Sequence, residues 1–275
     1  MSKRVNVSKK VLQRLYWDER KSSIEIAKLY KCHSMTIRNR IRELGITKRT
    51  PSDARMHYEK HDFSENSIER AYLLGFRLGD LSAYQTSVDS ELIVVRCHTT
   101  QLAQVTLMQS LFSSYGRVTV SKGIHGYNVN CFLNATFDFM LPKHEVVPEI
   151  VNKQQSSIWA FIAGYIDAEG SFGINQGKAR FKIDSYDVHV LEWMVNVFCE
   201  SLLVVKFRQI AVQGQPQYRA GIFHKDLWRL EINEGSSIFR FINMVSIYIR
   251  HEKRKTDMII CLNNVKERQS KGTIL

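Results

Sequence analysis

The first 46 residues carry apolar side chains three and four positions apart, which predicts short amphipathic helices. The sequence Ser22-Ser23-Ile24-Glu25 has the form of a capping box and predicts the start of a second helix. The first helix is indicated by Val11, Leu12, Leu15 and Tyr16, and the apolar side of the second is expected to be Ile24, Ala27 and Leu29 or Tyr30.

A third helix is predicted after the break at residues 31–33, with Ser34 as its N-cap and Gly45 as its stop. Ile37, Ile41 and Leu44 would face inward. Three short helices, the last two joined by a tight turn, resemble a helix-turn-helix DNA-binding unit; a small helical module with solvated charges is the alternative. In the first case the third helix would be the recognition helix, and its DNA-contacting residues would be Met35, Thr36, Arg38, Asn39 and Arg42.

Residues 47–63 lack apolar periodicity, contain Pro51 and are predicted to form a linker. Lys48, Arg49 and Arg55 are expected to contact phosphates along it. Of the 39 Lys and Arg residues in the chain, 16 lie in residues 1–62, against 7 Asp and Glu. This asymmetry, in a chain of net charge +12, favours a polyanionic partner for the N-terminal region.

Residues 64–275 contain an internal repeat, in which LLGFRLGD and IAGYIDAE align on Gly75 and Gly164. Each segment predicts an apolar helix that ends in an acid, Asp80 in the first and Glu169 in the second, and strand-like alternation follows each. Small residues let helix backbones approach closely, so Gly75, Gly164 and Ala163 predict an interface that brings the two acids together.

Two carboxylates at neighbouring helix C-termini repel each other unless a cation lies between them. Hard oxygen ligands suit Mg²⁺, with Mn²⁺ as a substitute, and the backbone carbonyls of Gly79 and Ala168 are expected to add to the ligand set. A pair of acids that holds a divalent metal against phosphates is what in-line phosphodiester cleavage requires.

The second segment, IAGYIDAEG, is similar to the LAGLIDADG motif at nearly every position, and the first, LLGFRLGDL, is a weaker copy. Over residues of about 64–270 the chain therefore resembles the monomeric, two-motif LAGLIDADG homing endonucleases. The resemblance implies an α+β fold with two pseudo-symmetric αββαββα halves, residues 64–152 and 153–275, preceded by the all-α helix-turn-helix domain at 1–46. It also implies a monomer that cuts one phosphodiester on each strand of a long double-stranded DNA site, leaving short 3′ overhangs.

The resemblance assigns roles to particular residues. Asp80 and Glu169 would be the metal-binding catalytic acids, whereas Asp167, earlier in the motif, would be structural. Basic residues near the scissile phosphates would be Lys253, with Lys255 close behind, and Lys143. The chain departs from the usual motif at Leu81, where glycine is common, and at Glu169, which replaces Asp.

Polar and basic side chains that alternate with apolar ones along the predicted strands are candidate DNA contacts. In the first half these are Arg96, Lys122 and Asn128, and in the second half they are Lys178, Arg180, Lys182, Arg208, Gln217 and Arg219.

The five cysteines show neither metal-site nor disulfide spacing, and no apolar run approaches membrane-spanning length. We therefore expect an intracellular protein, in the cytoplasm, the nucleoid or an organelle matrix, with no membrane partner. Two other functions are compatible with the same fold: a DNA-binding regulator that does not cleave, and a maturase that binds intron RNA. The retained acid pair argues against the first, and the helix-turn-helix argues against the second.

Overall fold

The structure, a computed structural model, describes residues 5–50, 58–217 and 221–273 of the chain. These belong to two compact units: one comprises the residues before Lys60 together with Asp89–Glu91, and the other comprises the rest. No helix in the described ranges is long and apolar enough to cross a membrane.

The N-terminal unit is a small bundle of helices: α1 (Lys9–Gln13), a π-helical turn (Arg14–Asp18), α2 (Ser23–Leu29) and α3 (Ser34–Glu43). The capping box is confirmed, because the Glu25 N–H donates to Ser22 Oγ at 3.1 Å and the Ser22 N–H donates to Glu25 Oε2 at 2.7 Å. Gly45, with φ of +60°, follows α3 as predicted. Leu12, Ile26 and Ile37 are fully buried at the centre of this unit.

The apolar side of α2 differs in part from the prediction. Ala27 is buried and Tyr30 packs against the core as predicted, but Ile24 and Leu29 are exposed, and Ile26 is buried. Two turns of helix are compatible with more than one apolar phase, and contacts with α3 select the one that is seen. The N-cap of α3 is His33 rather than Ser34, because His33 Nδ1 accepts the Met35 N–H at 3.2 Å.

The second unit repeats one pattern of elements. Its first half contains α4 (Ser67–Gly79), β1 (Ser82–Gln85), β2 (Ile93–Thr99), α5 (Leu102–Phe112), β3 (Arg117–Gly123) and β4 (Gly126–Leu133). Its second half contains α6 (Gln155–Glu169), β5 (Gly170–Asn175), β6 (Lys178–Ser185), α7 (Val188–Glu200), β7 (Lys206–Ala211) and β8 (Leu227–Ile232). The strands form two antiparallel sheets in the orders β1-β2-β4-β3 and β5-β6-β8-β7, which confirms the predicted α+β fold of two related halves.

The two halves end differently. The second half closes with α8 (Gly235–Val245) and α9 (Glu252–Ser270). The first half has two 3₁₀ turns, Ala135–Met140 and Glu149–Lys153, where the prediction placed a final α-helix. Pro142 and Pro148 lie between these turns, and proline both lacks a backbone N–H and disfavours helix continuation.

The predicted linker at 47–63 is shorter than expected, because both of its ends are folded. The Trp17 indole donates to the Thr47 carbonyl at 3.1 Å. At the other end the Phe63 N–H donates to Thr136 Oγ1 at 2.8 Å, and the Phe63 ring is buried in the second unit. Pro51 and Arg55 lie outside the described residues.

The two glycine-containing helices α4 and α6 pack against each other at the centre of the second unit. A Cβ atom placed on Gly75 would lie 2.0 Å from the Phe161 carbonyl oxygen, and one placed on Gly164 would lie 2.0 Å from the Tyr72 carbonyl oxygen. The two contacts are reciprocal, as expected for elements related by a pseudo-two-fold axis. The predicted helix interface is therefore confirmed at both glycines, and Ala163, beside Gly164, is fully buried.

Candidate functional site

The two predicted acids lie at the ends of the packed helices. Glu169 is the last residue of α6, and Asp80 follows the last residue of α4. The final turns are in contact, because a Cβ placed on Gly79 would fall 2.3 Å from Ala168 Cβ and 3.5 Å from Glu169 Oε1. The close approach at Gly75 and Gly164 thus brings the acidic helix ends together, as the sequence predicted.

The environment of this pair opposes full negative charge. Burial, followed by the charges of Asp80 and Asp187, raises the pKa of Glu169 to about 7, against the opposing effect of Arg254 and Lys143. Desolvation by surrounding atoms also raises the pKa of Asp80. Two carboxylates held in this state gain from a nearby cation, which would favour their ionised forms.

A cleft of about 300 Å³ opens beside Asp80. Its remaining lining residues come from both halves: His98, Thr99, Thr100, Gln101, Gln104, Asp167, Ala168, His251 and Arg254.

Gln104 is a site residue that the sequence analysis missed. Its Nε2 donates to Asp80 Oδ2 at 2.9 Å, and its side chain is buried at the start of α5. The signal was present in the sequence, because Gln104 falls in helical phase with the apolar residues Met108 and Leu111. An amide on the buried stripe of a helix needs a polar partner, which here is the acid.

Asp167 has the structural role that was predicted. Its Oδ2 accepts the Tyr72 hydroxyl at 2.6 Å and the backbone N–H groups of Arg250 and His251 at 2.8 and 3.1 Å. The carboxylate thereby joins α4 of the first half to the beginning of α9 in the second. Burial raises its pKa to about 6 even though these hydrogen bonds favour the charged form.

The basic residue in the cleft is Arg254 rather than Lys253. Arg254 lines the cleft, and its charge lowers the pKa of Asp80, Asp167 and Glu169. Lys253 instead pairs with Asp257 at 2.7 Å on an exposed side of α9, and Lys255 pairs with Glu252 at 3.0 Å. One residue along a helix is a rotation of about 100°, which a rough alignment of a Lys-Arg-Lys run does not resolve.

Lys143, predicted to lie near the scissile phosphates, is close enough to Glu169 for its charge to act on that carboxyl. Its side chain is exposed, and its charge acts on Glu169, lowering the pKa of that carboxyl. The two halves therefore each supply a cation near the acids, Lys143 from the first and Arg254 from the second.

The oxygen atoms of Asp80, Glu169 and the nearby backbone carbonyls suit a hard divalent cation that keeps some of its bound water molecules. Within the described ranges no cluster of three or more His, Cys, Asp and Glu side chains is arranged to hold a metal. Two carboxylates are nevertheless what Mg²⁺ commonly takes from a protein, because it fills its remaining positions with water and substrate phosphates. The predicted carbonyl ligands, Gly79 and Ala168, lie in the touching final turns.

The predicted DNA-contacting residues of α3 are largely accessible. Met35, Arg38, Asn39 and Arg42 are exposed, and Thr36 is half-buried. Arg38 Nε also donates to Ser23 Oγ on α2 at 3.2 Å, so its guanidinium is partly oriented by the neighbouring helix.

Of the two described linker cations predicted to contact phosphates, Lys48 is exposed and Arg49 is half-buried. The Arg49 guanidinium donates to the backbone carbonyls of Arg20 and Lys21, both at 2.9 Å, and lies 4.2 Å from the centre of the Tyr16 ring. Arg49 therefore holds the end of the N-terminal unit together, and a phosphate contact by this residue stays a prediction.

The first sheet separates its three predicted contacts. Arg96 and Asn128 share the face directed away from the helices, and Arg96 Nη2 donates to Asn128 Oδ1 at 3.2 Å. Lys122 is paired with Tyr127, the residue next to Asn128, so strand alternation puts Lys122 on the opposite face. The sequence showed the alternation but not the pairing register of this hairpin.

In the second sheet, Lys178, Arg180 and Lys182 lie on one face of β6, and Arg208 on β7 shares that face. Gln217 lies in the connection between β7 and β8 rather than in a strand, where its N–H donates to the Gly221 carbonyl at 3.0 Å. Arg219 is outside the described residues.

Comparisons with known proteins support the fold described above. No family model matches the chain, and no curated protein is similar to it in sequence. Among solved structures, mesophilic variants of the homing endonuclease I-DmoI are 18% identical, with a TM-score of 0.50 over 70% of this chain and 98% of that chain. The homing endonuclease I-WcaI bound to its DNA recognition sequence is 15% identical, with a TM-score of 0.49 over 71% of this chain and 88% of that one. Full-length DUF199/WhiA from Thermatoga maritima is 14% identical, with a TM-score of 0.46 over 76% and 63%.

At these levels of identity the likeness shows a shared fold. The I-DmoI match agrees with the two antiparallel sheets of the second unit and the repeat that contains them.

Proposed function

We propose that this protein is a site-specific endonuclease that hydrolyses one phosphodiester on each strand of a long double-stranded DNA site, with a divalent metal ion. The observation that carries the proposal is the convergence of Asp80 and Glu169 at the touching ends of α4 and α6. The likeness of the fold to a homing endonuclease supports it.

Asp80 and Glu169 would hold the metal, Mg²⁺ in the first place and Mn²⁺ as a substitute, with help from the carbonyls of Gly79 and Ala168. When bound, the metal supplies Lewis acidity and lowers the pKa of water. Gln104 fixes the orientation of the Asp80 carboxylate through its 2.9 Å hydrogen bond. Arg254 and Lys143 stabilise the negative charge that develops on the two scissile phosphates.

The faces of the two sheets that carry Arg96 and Lys182 bind the DNA in its major groove, which is wide enough to admit strands. In the N-terminal unit, α3 acts as the recognition helix of a helix-turn-helix and extends the bound length of DNA. One chain contains both catalytic acids, so a monomer is sufficient to cut both strands and leave short 3′ overhangs.

A DNA-binding regulator without cleavage is the second candidate. It is favoured by the appended N-terminal unit, in which Arg38, Asn39 and Arg42 are exposed along one helix. The convergence of Asp80 and Glu169 at the touching helix ends argues against it, because a protein that only binds DNA has no use for two adjacent buried carboxylates.

The decisive experiment is a cleavage selection on a randomised duplex DNA library with Mg²⁺. Three full-length proteins are compared: the natural chain, Glu169→Gln, and the control Glu267→Gln, which removes an exposed acid of α9 outside the cleft. We expect double-strand breaks at one long site with the natural chain and the control, and none with Glu169→Gln or after chelation of the metal.

Normal cutting by Glu169→Gln would contradict the assigned site. Enrichment of a bound sequence without cut ends would favour the regulator. Retention of structured intron RNA in preference to duplex DNA would favour the maturase.

A further inference from the structure

The open faces of the two sheets can be compared position by position. We use "open face" for the side directed away from the helices, which carries Arg96 in the first sheet and Lys182 in the second. In the first sheet the cross-strand rows are Arg96–Asn130–Thr119 and His98–Asn128–Ser121. In the second sheet the equivalent rows are Lys182–Glu231–Lys206 and Asp184–Arg229–Arg208.

The rows of the first sheet are mainly neutral. Amides and hydroxyls occupy four of the six positions: Asn130, Asn128, Thr119 and Ser121. Arg96 donates to the Asn128 amide oxygen at 3.2 Å, and neither row contains a carboxylate.

The rows of the second sheet are charged at every position. Arg229 binds Asp184 through two parallel hydrogen bonds, from Nε to Oδ1 at 2.5 Å and from Nη2 to Oδ2 at 2.7 Å. Arg208 Nη2 lies 3.6 Å from Glu231 Oε1, and Lys182 Nζ lies 3.5 Å from Asp184 Oδ2. Ion pairs therefore join Lys182, Asp184 and Arg229 into one group, and a separate pair joins Arg208 to Glu231.

Accessibility differs between the middle and the edges of this set. The side chains of Arg229 and Glu231 are 25% and 13% exposed, whereas that of Arg208 is 58% exposed. The central groups are thus held in place by their ion-pair partners, whereas the exposed Arg208 can reach a phosphate by giving up its contact with Glu231. A guanidinium fixed in advance loses less conformational entropy on binding than a mobile one.

The two kinds of row match different base edges. The amide of Asn pairs with the N6 and N7 edge of adenine, and the Arg fork pairs with O6 and N7 of guanine. A carboxylate accepts from the N4 amino group of cytosine and repels phosphates, so it raises discrimination while it lowers affinity for DNA in general.

We propose that the two sheets read half-sites of different base composition. The β1–β4 face reads an A·T-rich half-site through Asn128 and Asn130, and the β5–β8 face reads a G·C-rich half-site through Arg229 and Glu231. The inference rests on the proposed binding of DNA and adds which bases each half selects.

The test is a binding selection from a randomised duplex library, with the full-length Glu169→Gln protein in Ca²⁺ so that bound DNA is not cut. We expect one enriched site with an A·T-rich segment and a G·C-rich segment. Adding Glu231→Gln should relax selection in the G·C-rich segment alone, by about tenfold at the contacted base pair. Adding Asn130→Ser, the matched change in the first sheet, should relax the A·T-rich segment alone by a similar factor.

Both added substitutions are at partly exposed positions, and circular dichroism checks that each variant is folded. An enriched site that the natural chain cuts, but whose two segments have the same composition or do not respond to these variants, would overturn this inference and leave the endonuclease standing. Absence of any enriched duplex would overturn both.

Discussion

The two halves of the second unit share a backbone plan but differ in the side chains at equivalent positions. Superposing the repeats on Gly75 and Gly164 pairs Tyr72 with Phe161 and Leu78 with Asp167. The glycines are the same in both halves because each backbone meets the other at a carbonyl oxygen. The residues around the glycines can differ, so the helix packing is symmetric, whereas the functional groups of the two halves are not.

The acids themselves illustrate the difference. Asp80 receives a hydrogen bond from Gln104, whereas the equivalent position in α7 is the fully buried Val190. Glu169 has a second carboxylate, Asp187, within electrostatic reach, and its pKa rises to about 7. Arg254 thus favours the charged forms of both acids, whereas Asp80 has Gln104 as a neutral partner in addition and Glu169 has Lys143.

The largest expected effect on stability comes from the glycine contacts that the two halves share. Gly75→Ala and Gly164→Ala each place a methyl group on a backbone oxygen, so we expect each to lower the free energy of unfolding by about 3 kcal/mol or more. Gly173→Ala, with no neighbour within 4 Å of its added Cβ, should change stability by about 0.5 kcal/mol or less. Urea unfolding measures all three, and a harmless Gly75→Ala would show that the helices are not in backbone contact.

The next largest effect concerns the cations that differ between the halves. Arg254→Gln should lower the cleavage rate by about 10²-fold, because the guanidinium lies in the cleft beside the acids. Lys143→Gln should slow cleavage of one strand more than the other, which nicked intermediates on supercoiled plasmid would reveal. Lys253→Gln is the matched control and should retain activity, since Lys253 pairs with Asp257 outside the cleft. The assignment of Arg254 fails if Lys253→Gln is the more damaging change.

Removing the hydroxyl of a buried tyrosine should destabilise the protein more in the first half, at Tyr72, than in the second half, at Tyr165. Tyr72→Phe removes the 2.6 Å hydrogen bond to the buried Asp167 carboxylate and should cost about 1–3 kcal/mol. Tyr165→Phe should cost less, about 1 kcal/mol, because water can replace the bond lost by the half-buried Asp187 carboxylate, and Ser185 Oγ still accepts the Asp187 N–H. Equal losses in chemical denaturation would contradict the view that Tyr72 acts on a buried charge.

The last expected effect is a pH dependence of stability in the metal-free protein. The folded pKa of Glu169 is about 7 and its ordinary value is 4.5, so the folded state binds the proton more tightly between these values. The contribution of Glu169 to stability is therefore present at low pH and is lost as the pH rises from about 4.5 to 7. Glu169→Gln removes this loss and should be more stable than the natural chain at pH 7.5 by about 2 kcal/mol, but not at pH 4.5.

The measurement is the melting temperature from pH 4.5 to 7.5 in the presence of a chelator. Asp80→Asn should show the same sign with a smaller amplitude, because Arg254 and then Gln104 favour the charged form of Asp80 against its desolvation. His251 has a pKa of about 4 owing to burial, so its contribution runs in the opposite direction, and only the difference from the natural chain is diagnostic. If the melting temperatures of Glu169→Gln and the natural chain differed by the same amount at every pH, the proposed titration of Glu169 would be contradicted.

Much of this architecture follows from the sequence, because local and repeated patterns carry it. The capping box at Ser22 and Glu25 is made by residues three apart, and its bonds form as the pattern predicts. Gly75 and Gly164 could be aligned because a backbone contact tolerates no side chain, so both copies keep the same residue. The convergence of the two acids follows from that alignment.

What the sequence missed depends on register and on contacts between distant residues. Choosing between Lys253 and Arg254 requires the phase of α9, which is set by packing against the rest of the second half. Lys122 falls on the unexpected face because the pairing of β3 with β4 decides it. The hydrogen bonds from Arg49 to the carbonyls of Arg20 and Lys21, twenty-nine and twenty-eight positions away, are likewise invisible in the sequence.

The hydrogen bond between Tyr72 and Asp167 determines which half-length fragments of the second unit can associate with each other. A homodimer of first halves would set Tyr72 against Leu78, and a homodimer of second halves would bury Asp167 against Phe161. Neither could make the bond, and the second would leave a carboxylate beside a phenyl ring. Cut between α4 and α6, the protein should therefore yield two fragments that associate with each other in preference to themselves, an obligate pair suited to split-protein complementation.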